Sequence, residues 1–144
     1  MASTSPQQNA QPVAASAKPT VFVVDDDAYV LGSLRFLLET DGFTVRTFRN
    51  AAALLNAIRA PAADCFVIDY KMPGMNGIDL AGRLRTLNIQ SPVILITGYP
   101  DSGISARAAA AGVKHVMLKP LLEDSLIKRI RSAIQESRHG SQIR

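Results

Sequence analysis

Four short apolar runs in this chain each end in a polar residue suited to phosphate chemistry. If the runs are parallel strands, their carboxyl ends share one edge of a sheet. Carboxylates, a hydroxyl and an amine would then meet in one pocket. The runs span residues 21–24, 65–68, 93–96 and 116–118, and they lead into Asp25-Asp26-Asp27, Asp69, Thr97 and Lys119-Pro120.

Helical patterns alternate with strand-like runs along the chain. Between the strands, apolar residues recur at i, i+3 and i+4 spacing. Asp27 and Asn50 are candidate helix caps, and Asp41-Gly42 and Gly112 are stop signals. The pattern predicts an α/β fold, (βα)₅, with a doubly wound five-stranded parallel sheet. The predicted strands are 21–24, 43–47, 64–68, 93–96 and 115–118, and the predicted helices are 28–40, a segment from Asn50 to the break at Pro61, 78–87, 101–111 and 123–136.

The length of 144 residues, with 47% hydrophobic residues, suits one ordinary domain with a real core. Residues 1–18 lack bulky apolar side chains apart from Met1 and Val13, so we expect a flexible leader, a domain over 19–137 and a tail over 138–144. The single cysteine, Cys65, lies in an apolar run, which predicts a buried thiol and excludes an intrachain disulfide. A reduced, cytoplasmic compartment fits this cysteine usage.

The formal charge of +4 is unevenly placed along the chain. From Lys114 onward there are seven Lys or Arg against three Asp or Glu, whereas the rest of the chain balances at nine and nine. No aromatic residue follows Lys114 that could stack on bases. We therefore favour a solvated helix face over direct nucleic-acid binding. A signal peptide and an apolar run of the ~18 residues that span a bilayer are also absent, so no membrane contact is expected.

The residues at the strand ends carry a family resemblance. The segments Val23-Val24-Asp25-Asp26-Asp27, Ile68-Asp69, Met72-Pro73-Gly74-Met75-Asn76-Gly77, Ile96-Thr97-Gly98 and Lys119-Pro120 together resemble the receiver domain of two-component response regulators. The amino-acid sequences of the last two segments most resemble those of receivers of the nitrogen-fixation regulator type. The resemblance covers residues 20–137 and implies the flavodoxin-like, CheY-like strand order 2-1-3-4-5.

Physical chemistry supports this resemblance independently. A carboxylate can accept a phosphoryl group as a nucleophile, but its charge opposes an approaching anionic phosphate. A Mg²⁺ ion prefers oxygen ligands, and Asp25, Asp26 and Asp69 could supply them. Lys119 adds a mobile cation for a phosphoryl oxygen, and Thr97 offers a hydroxyl donor. Such positioning and charge neutralisation are most of what phosphoryl transfer requires of a protein.

The resemblance also implies a role for each residue. It implies that Asp69 is the phosphoacceptor, that Asp26 is a direct metal ligand with Asp25 in its outer shell, and that the backbone carbonyl of Lys71 completes the metal site. It further implies that Thr97 is the switch hydroxyl and that Lys119 is the family's lysine, with a cis Lys119–Pro120 bond. Taken singly, each residue also fits a simpler role as a cap, a turn residue, a strand residue or a surface lysine.

Four positions depart from the family pattern or could modulate the site. Similar proteins usually carry Tyr or Phe at the position of Val116, where the aromatic ring couples phosphorylation to the face formed by the fourth helix, the fifth strand and the fifth helix. Because valine cannot make that movement, we predict a muted or differently routed switch. Lys71 and Tyr99 lie two residues after Asp69 and Thr97, and we hypothesise that they tune the lifetime of the phosphorylated state; simple loop exposure is the alternative. Leu121 replaces the aromatic residue often seen after Lys-Pro.

These features predict a stand-alone receiver that takes a phosphoryl group from a phosphohistidine on a histidine kinase or histidine phosphotransfer protein. We expect it to be a self-dephosphorylating switch rather than a turnover enzyme, to signal through an unidentified downstream protein, and to be a monomer or a weak phosphorylation-dependent dimer. The alternatives are the receiver part of a longer regulator, a phosphorylation-independent interaction module, and a phosphatase or phosphotransferase with an aspartyl nucleophile. The last class usually carries a second acid two residues after the nucleophile, where this chain has Lys71.

Overall fold

The computed structural model describes residues 18–58, 63–98, 102–121 and 123–143. Strands and helices alternate along the chain, as the sequence predicts. The strands are β1 (Thr20–Val24), β2 (Thr44–Phe48), β3 (Cys65–Asp69), β4 (Val93–Thr97) and β5 (His115–Leu118), and the helices are α1 (Ala28–Thr40), α2 (Ala51–Ala57), α3 (Gly77–Thr86), α4 (Ser102–Ala110) and α5 (Glu123–Ile143).

The five strands form one parallel sheet in the order β2-β1-β3-β4-β5, which confirms the predicted fold class and strand order. The order reverses between β1 and β3, so a crevice opens beyond their carboxyl ends. Every residue of β3 and β4 is buried, as expected for central parallel strands covered on both faces. β5 lies at an edge and is only partly covered.

Side chains alternate between two core layers, one on each face of the sheet. Phe22, Phe66 and Leu95 pack on one face with residues of α2, α3 and α4. Val23, Val67 and Ile94 pack on the opposite face with residues of α1 and α5. Cys65 belongs to this second layer, is fully buried, and has its pKa raised to about 12 mainly by burial. The predicted buried thiol is therefore confirmed.

Local signals place the helix ends. Asp27 caps α1 by accepting from the backbone N–H of Tyr29 at 2.9 Å, and Asn50 caps α2 by accepting from that of Ala53 at 2.7 Å. Gly42 and Gly112, which follow α1 and α4, have φ values of 97° and 83°. These positive angles are costly for residues with a Cβ atom, so both predicted stop signals are confirmed.

The structure differs from the sequence prediction at two helix ends. α5 continues to Ile143 instead of ending near Glu136, because the helical backbone hydrogen bonding continues beyond that residue. α2 ends at Ala57, earlier than the predicted break at Pro61, and residues 59–62 lie outside the described part of the chain. The predicted leader likewise falls almost wholly on residues 1–17, which are not described. The domain limits at 19 and 137 stay predictions.

Arg85 fixes the end of the domain opposite the strand carboxyl ends. Its guanidinium donates to the carbonyl oxygens of Ile89 at 2.8 Å, Ser91 at 2.9 Å and Gly112 at 3.0 Å. These bonds connect the end of α3 with the segments that lead into β4 and β5, so the start of both strands is held. Within the described residues, none of the helices combines the length and apolar character that crossing a membrane requires.

Candidate functional site

The polar residues singled out in the sequence lie along one edge of the sheet. Asp25 follows β1, Asp69 ends β3, Thr97 ends β4 and Lys119 follows β5. These strands are consecutive neighbours in the sheet, with Asp69 paired to Ile96. The carboxylates, the hydroxyl and the amine are therefore brought to one edge, as the strand pattern indicates.

Three carboxylates converge at the crevice. Oxygen atoms of Asp25, Asp26 and Asp69 all lie within 4.8 Å of one another. Asp25 and Asp69 are buried, while Asp26 is exposed. Clustered carboxylate oxygens of this kind suit a hard divalent cation such as Mg²⁺, which would offset their mutual repulsion. The donor set therefore fits the metal that the family resemblance implies.

The pKa values of the two buried acids reflect this crowding. Burial is the main cause that raises the pKa of Asp25 to about 6, and the charges of Asp69 and Asp26 act in the same direction. The backbone N–H of Asp27 donates to Asp25 Oδ1 at 2.9 Å and opposes the increase. Burial also raises the pKa of Asp69, against the stabilising effect of Lys119. The free site therefore favours a bound proton or cation.

Lys119 is the cation closest to this cluster among the contacts described. Its Nζ lies 2.9 Å from Oδ1 of Asp69. Burial lowers the pKa of Lys119, but the hydrogen bond to Asp69 and the surrounding carboxylates outweigh it, so the net pKa is raised. The backbone N–H of Lys119 donates to the carbonyl of Thr97 at 2.9 Å, and the Lys119–Pro120 bond is cis, as predicted. The backbone at the end of β5 therefore holds the Lys119 ammonium group next to the Asp69 carboxylate.

Of the remaining predicted site residues, the structure describes Thr97, Lys71 and Val116 but not Tyr99. Thr97 is buried at the end of β4, whereas Lys71 is exposed in the loop after β3. Val116 is half-buried on β5 and packs against the core layer of α2, α3 and α4. Tyr99 lies outside the described residues, so its predicted influence is not addressed by the structure. The contribution of the Lys71 carbonyl to a metal site stays a prediction.

Gly77, the first residue of α3, has a role that sequence reasoning missed. A Cβ atom there would lie 2.5 Å from the carbonyl oxygen of Asp69 and 2.8 Å from Cδ1 of Leu95. The N–H of Gly77 donates to the carbonyl of Tyr70 at 2.8 Å. The loop after Asp69 therefore closes tightly on the helix, and only glycine fits without displacement. The glycine that ends the turn-rich segment was the available signal.

A second missed contact joins the segment after β3 to α4. The guanidinium of Arg107 donates to the phenol oxygen of Tyr70 at 3.0 Å. Tyr70 directly follows Asp69, so this bond links the neighbour of the central carboxylate to α4. No sequence spacing predicts it, because the two residues are far apart in the chain and the arginine is long and flexible.

Fold and site together define a doubly wound α/β domain with an acidic pocket, completed by a lysine, at the carboxyl edge of its sheet. The family model described as "Response regulator receiver domain" matches residues 21–131. The chain belongs to this family. Phosphorylation of an aspartate in bacterial two-component signalling is a family property, as are Mg²⁺ binding at the acidic pocket and interaction with histidine kinases or phosphotransfer proteins. Its members act as switches rather than as classical enzymes.

Known proteins show the same relationship. The chain is 35% identical over 122 residues to the transcriptional regulatory protein FixJ of Bradyrhizobium diazoefficiens, a match that covers 85% of this chain and 60% of that protein. It is 34% identical over 115 residues to the response regulator protein TodT of Pseudomonas putida, covering 80% of this chain and 51% of that protein. A receiver domain structure from Methanospirillum hungatei superposes with a TM-score of 0.81 at 26% identity, covering 86% of this chain and 99% of that one. The chain therefore spans only part of the curated relatives but nearly all of an isolated receiver.

Proposed function

We propose that this chain accepts a phosphoryl group on Asp69 from a phosphohistidine, with Mg²⁺ bound at Asp25, Asp26 and Asp69. The observation that carries the proposal is the 2.9 Å contact between Lys119 Nζ and Asp69 Oδ1 at the edge of the three-carboxylate cluster. A nucleophilic carboxylate, a cation-binding oxygen set and a mobile cation are the three parts that such a transfer needs.

The proposed step forms a P–O bond to a carboxylate oxygen of Asp69 while the P–N bond to the donor imidazole breaks. The electron pair of that P–N bond returns to the imidazole, which takes up a proton. Lys119 would exchange part of its contact with Asp69 for a phosphoryl oxygen, and the Thr97 hydroxyl would donate to another. Bound Mg²⁺ would neutralise charge on the carboxylates and the phosphoryl oxygens. Hydrolysis of the acyl phosphate would release inorganic phosphate, restore the Asp69 carboxylate and so reset the switch.

The output in this proposal is contact with another protein. The partners supported by family membership are a histidine kinase or a histidine phosphotransfer protein as donor. The curated relatives named above are longer than this chain, so its stand-alone status stays a prediction. The monomer, or weak phosphorylation-dependent dimer, also stays a prediction; sedimentation velocity with and without phosphorylation tests it.

The decisive experiment labels the protein with radioactive phosphoramidate, a small donor with a P–N bond, in the presence and absence of Mg²⁺. We expect base-labile labelling of the wild type that requires Mg²⁺ and is lost in Asp69→Asn. Asp79→Asn is the matched control, since Asp79 is an exposed carboxylate on α3 outside the cluster. Equal labelling of Asp69→Asn and wild type would remove Asp69 from the proposed role.

A further inference from the structure

A cavity lies at the end of the sheet where the strands begin, opposite the acidic pocket. Its volume is about 580 Å³. It is formed by the segments that lead into β4 and β5, together with the second half of α3, the end of α4 and the later turns of α5. A cavity of this size accommodates a small organic molecule. The residues described as lining it include neither the three clustered aspartates nor Lys119.

Small and apolar groups form much of the cavity wall. Gly82 of α3 contributes no side chain, and a Cβ atom there would meet no atom within 4 Å. The apolar part of the wall consists of Pro92, Val93, Ala110, Ala111 and Ala133. None of these side chains is long enough to fill the space itself. The wall therefore suits the compact apolar body of a ligand.

Arg85 brings a positive charge to this cavity, and the described ion pairs give it no carboxylate partner. Three of its five N–H groups donate to the backbone carbonyls of Ile89, Ser91 and Gly112. The other two have no acceptor within the described part of the chain. Burial lowers the pKa of Arg85, as expected for a cation that is partly removed from water without a counter-ion. A carboxylate bound in the cavity would supply the missing acceptor.

The other charged groups around the cavity leave an excess of positive charge. Lys114 also lines it and takes part in none of the ion pairs described. Glu136 is the one carboxylate among the described lining residues; its side chain is 62% exposed, and its Oε1 lies 3.5 Å from Nε2 of His115. Burial is the main cause that lowers the pKa of His115, so this imidazole is neutral at pH 7. Two cations therefore face one exposed carboxylate, and one further negative charge would balance them.

We propose that this cavity binds a small organic anion that combines one carboxylate with a compact apolar body. The carboxylate accepts hydrogen bonds from Arg85 and Lys114, and the apolar body occupies the space beside Gly82. This ligand site goes beyond the proposed function, because Thr97 and Lys119 lie at the opposite ends of β4 and β5.

Three probes separate the two parts of the proposed ligand. Cyclohexanecarboxylate carries both the charge and the apolar body, acetate carries only the charge, and cyclohexanecarboxamide carries only the body. Each probe is titrated into the full chain at constant pH and ionic strength, and backbone amide NMR shifts follow binding. We expect saturable shifts at Val93, Gly112 and Lys114, and about tenfold tighter binding of cyclohexanecarboxylate than of either control. Equal binding of the carboxamide, or shifts confined to the acidic pocket, would overturn the proposal.

A pair of glycine variants tests whether the cavity is the site. Gly82→Leu adds a side chain to the cavity wall, whereas Gly32→Leu makes the same change on α1, away from the cavity. At both helical positions a Cβ atom would meet no atom within 4 Å, so both variants should fold. We expect about tenfold weaker binding of cyclohexanecarboxylate to Gly82→Leu and unchanged binding to Gly32→Leu. Unchanged binding to Gly82→Leu would refute the assignment of the ligand to this cavity.

A pair of lysine variants tests the role of charge. Lys114→Gln should weaken the binding of cyclohexanecarboxylate about fivefold and leave the binding of the carboxamide unchanged. Lys128→Gln, at an exposed position of α5 that is not described as lining the cavity, should change neither. If Lys114→Gln weakens both probes to the same extent, its effect is structural and the proposed contact with the carboxylate is wrong.

The outcome for the cavity can be separated from that for the proposed function. Phosphoramidate labelling of the same preparations reports on Asp69 alone. Saturable binding of cyclohexanecarboxylate without labelling would support the ligand site and refute the phosphoacceptor role. Labelling without saturable probe binding would refute the ligand site alone.

Discussion

The ammonium of Lys119 lies 2.9 Å from Oδ1 of Asp69, so the proposed phosphoacceptor is already ion-paired in the free protein. Burial works against the charged form of both groups; their contact outweighs burial at Lys119, but it only partly offsets burial at Asp69, whose pKa stays raised. Lysine and a divalent cation therefore compete for the same carboxylate until a phosphoryl group supplies further oxygen atoms. This competition makes the effects of a lysine substitution on metal binding and on phosphoryl transfer opposite in sign.

We expect Lys119→Gln to bind Mg²⁺ about three- to tenfold more tightly, because it removes a nearby positive charge. The rate of labelling by phosphoramidate should fall about 100-fold, because a donor to the transferring phosphoryl group is lost. Calorimetric Mg²⁺ titration and labelling time courses measure the two effects. Lys114→Gln, on the exposed segment before β5, is the control that should change neither. A parallel decrease in both quantities would contradict this account.

Asp25→Asn tests how much the acidic cluster lowers the free energy of unfolding. The pKa of Asp25 is raised from 3.8 to about 6, so the folded state binds this proton more tightly than the unfolded chain does. Its contribution to stability is greatest below about pH 3.8 and is lost as pH rises through about 6. At pH 7 without divalent ions, Asp25→Asn should therefore raise the free energy of unfolding by about 1–3 kcal/mol.

Urea unfolding at several pH values measures this difference. The gain of Asp25→Asn over wild type should shrink as the pH falls from 7 toward 4, where the aspartate is protonated in the folded state. The variant should also lose most of the stabilisation that Mg²⁺ gives the wild type. Asp79→Asn, on the exposed face of α3, should show neither behaviour. A stability difference that is constant with pH would be inconsistent with a buried, charged Asp25.

Gly77→Ala should destabilise the protein by about 1–3 kcal/mol, because the added methyl group has no space. Its closest neighbours would be the backbone oxygen of Asp69 and the Leu95 side chain, and the backbone atom cannot rotate away. Gly82→Ala is a matched control in the same helix, where a Cβ atom meets nothing within 4 Å. That control should stabilise by about 0.5–1 kcal/mol through helix propensity. Thermal unfolding of both variants compares them, and a neutral Gly77→Ala would refute the tight approach.

Val116→Tyr tests the prediction that valine at this position makes the phosphorylation switch muted or differently routed. In the wild type, we expect a phosphoryl mimic to change the backbone amide resonances of β5 very little. The tyrosine ring of the variant can change its position whereas the valine side chain cannot, so the mimic should shift these resonances several-fold more in the variant. NMR spectra recorded with and without the mimic measure both states. If the dependence on the mimic is unchanged in the variant, the idea that Val116 mutes the switch is wrong.

Lys71 and Tyr99 should influence the decay of phosphorylated Asp69 if they control the access of water. Lys71 is exposed in the loop that directly follows Asp69 at the end of β3. We expect Lys71→Ala and Tyr99→Ala to change the decay rate by about threefold or more, since both alter the solvent shell of the acyl phosphate. Release of inorganic phosphate after removal of the donor measures this rate. Identical decay in wild type and both variants would leave loop exposure as the simpler explanation.

The architecture could be predicted because the spacing of the apolar residues and the positions of the cap and turn residues indicate the same strands and helices. The apolar run that ends in Asp69 is typical of a central strand, and the structure agrees, since every residue of β3 is buried. The caps at Asp27 and Asn50 and the stop at Gly112 act through local geometry, which neighbouring residues determine. Parallel strands then bring Asp69 and Lys119 together by topology alone.

Other features could not be predicted, because they depend on distances that sequence spacing does not encode. The end of α5 was placed where its apolar stripe stops, but a helix can continue on backbone hydrogen bonds alone. The bond between Arg107 and Tyr70 depends on the path of a loop and on a flexible side chain. The three bonds of Arg85 have carbonyl acceptors, which every residue carries and no motif distinguishes.

The burial of Cys65 in the centre of the sheet has a practical consequence. Thiolate is the reactive form of cysteine, and a pKa of about 12 leaves almost none of it at neutral pH. The folded protein should thus be inert to maleimides and other thiol reagents although it contains a cysteine. A cysteine introduced at an exposed position, such as Ser105→Cys on α4, would be the only reactive thiol of the chain. Fluorophores or spin labels could then be attached at a single chosen position without first removing the native residue.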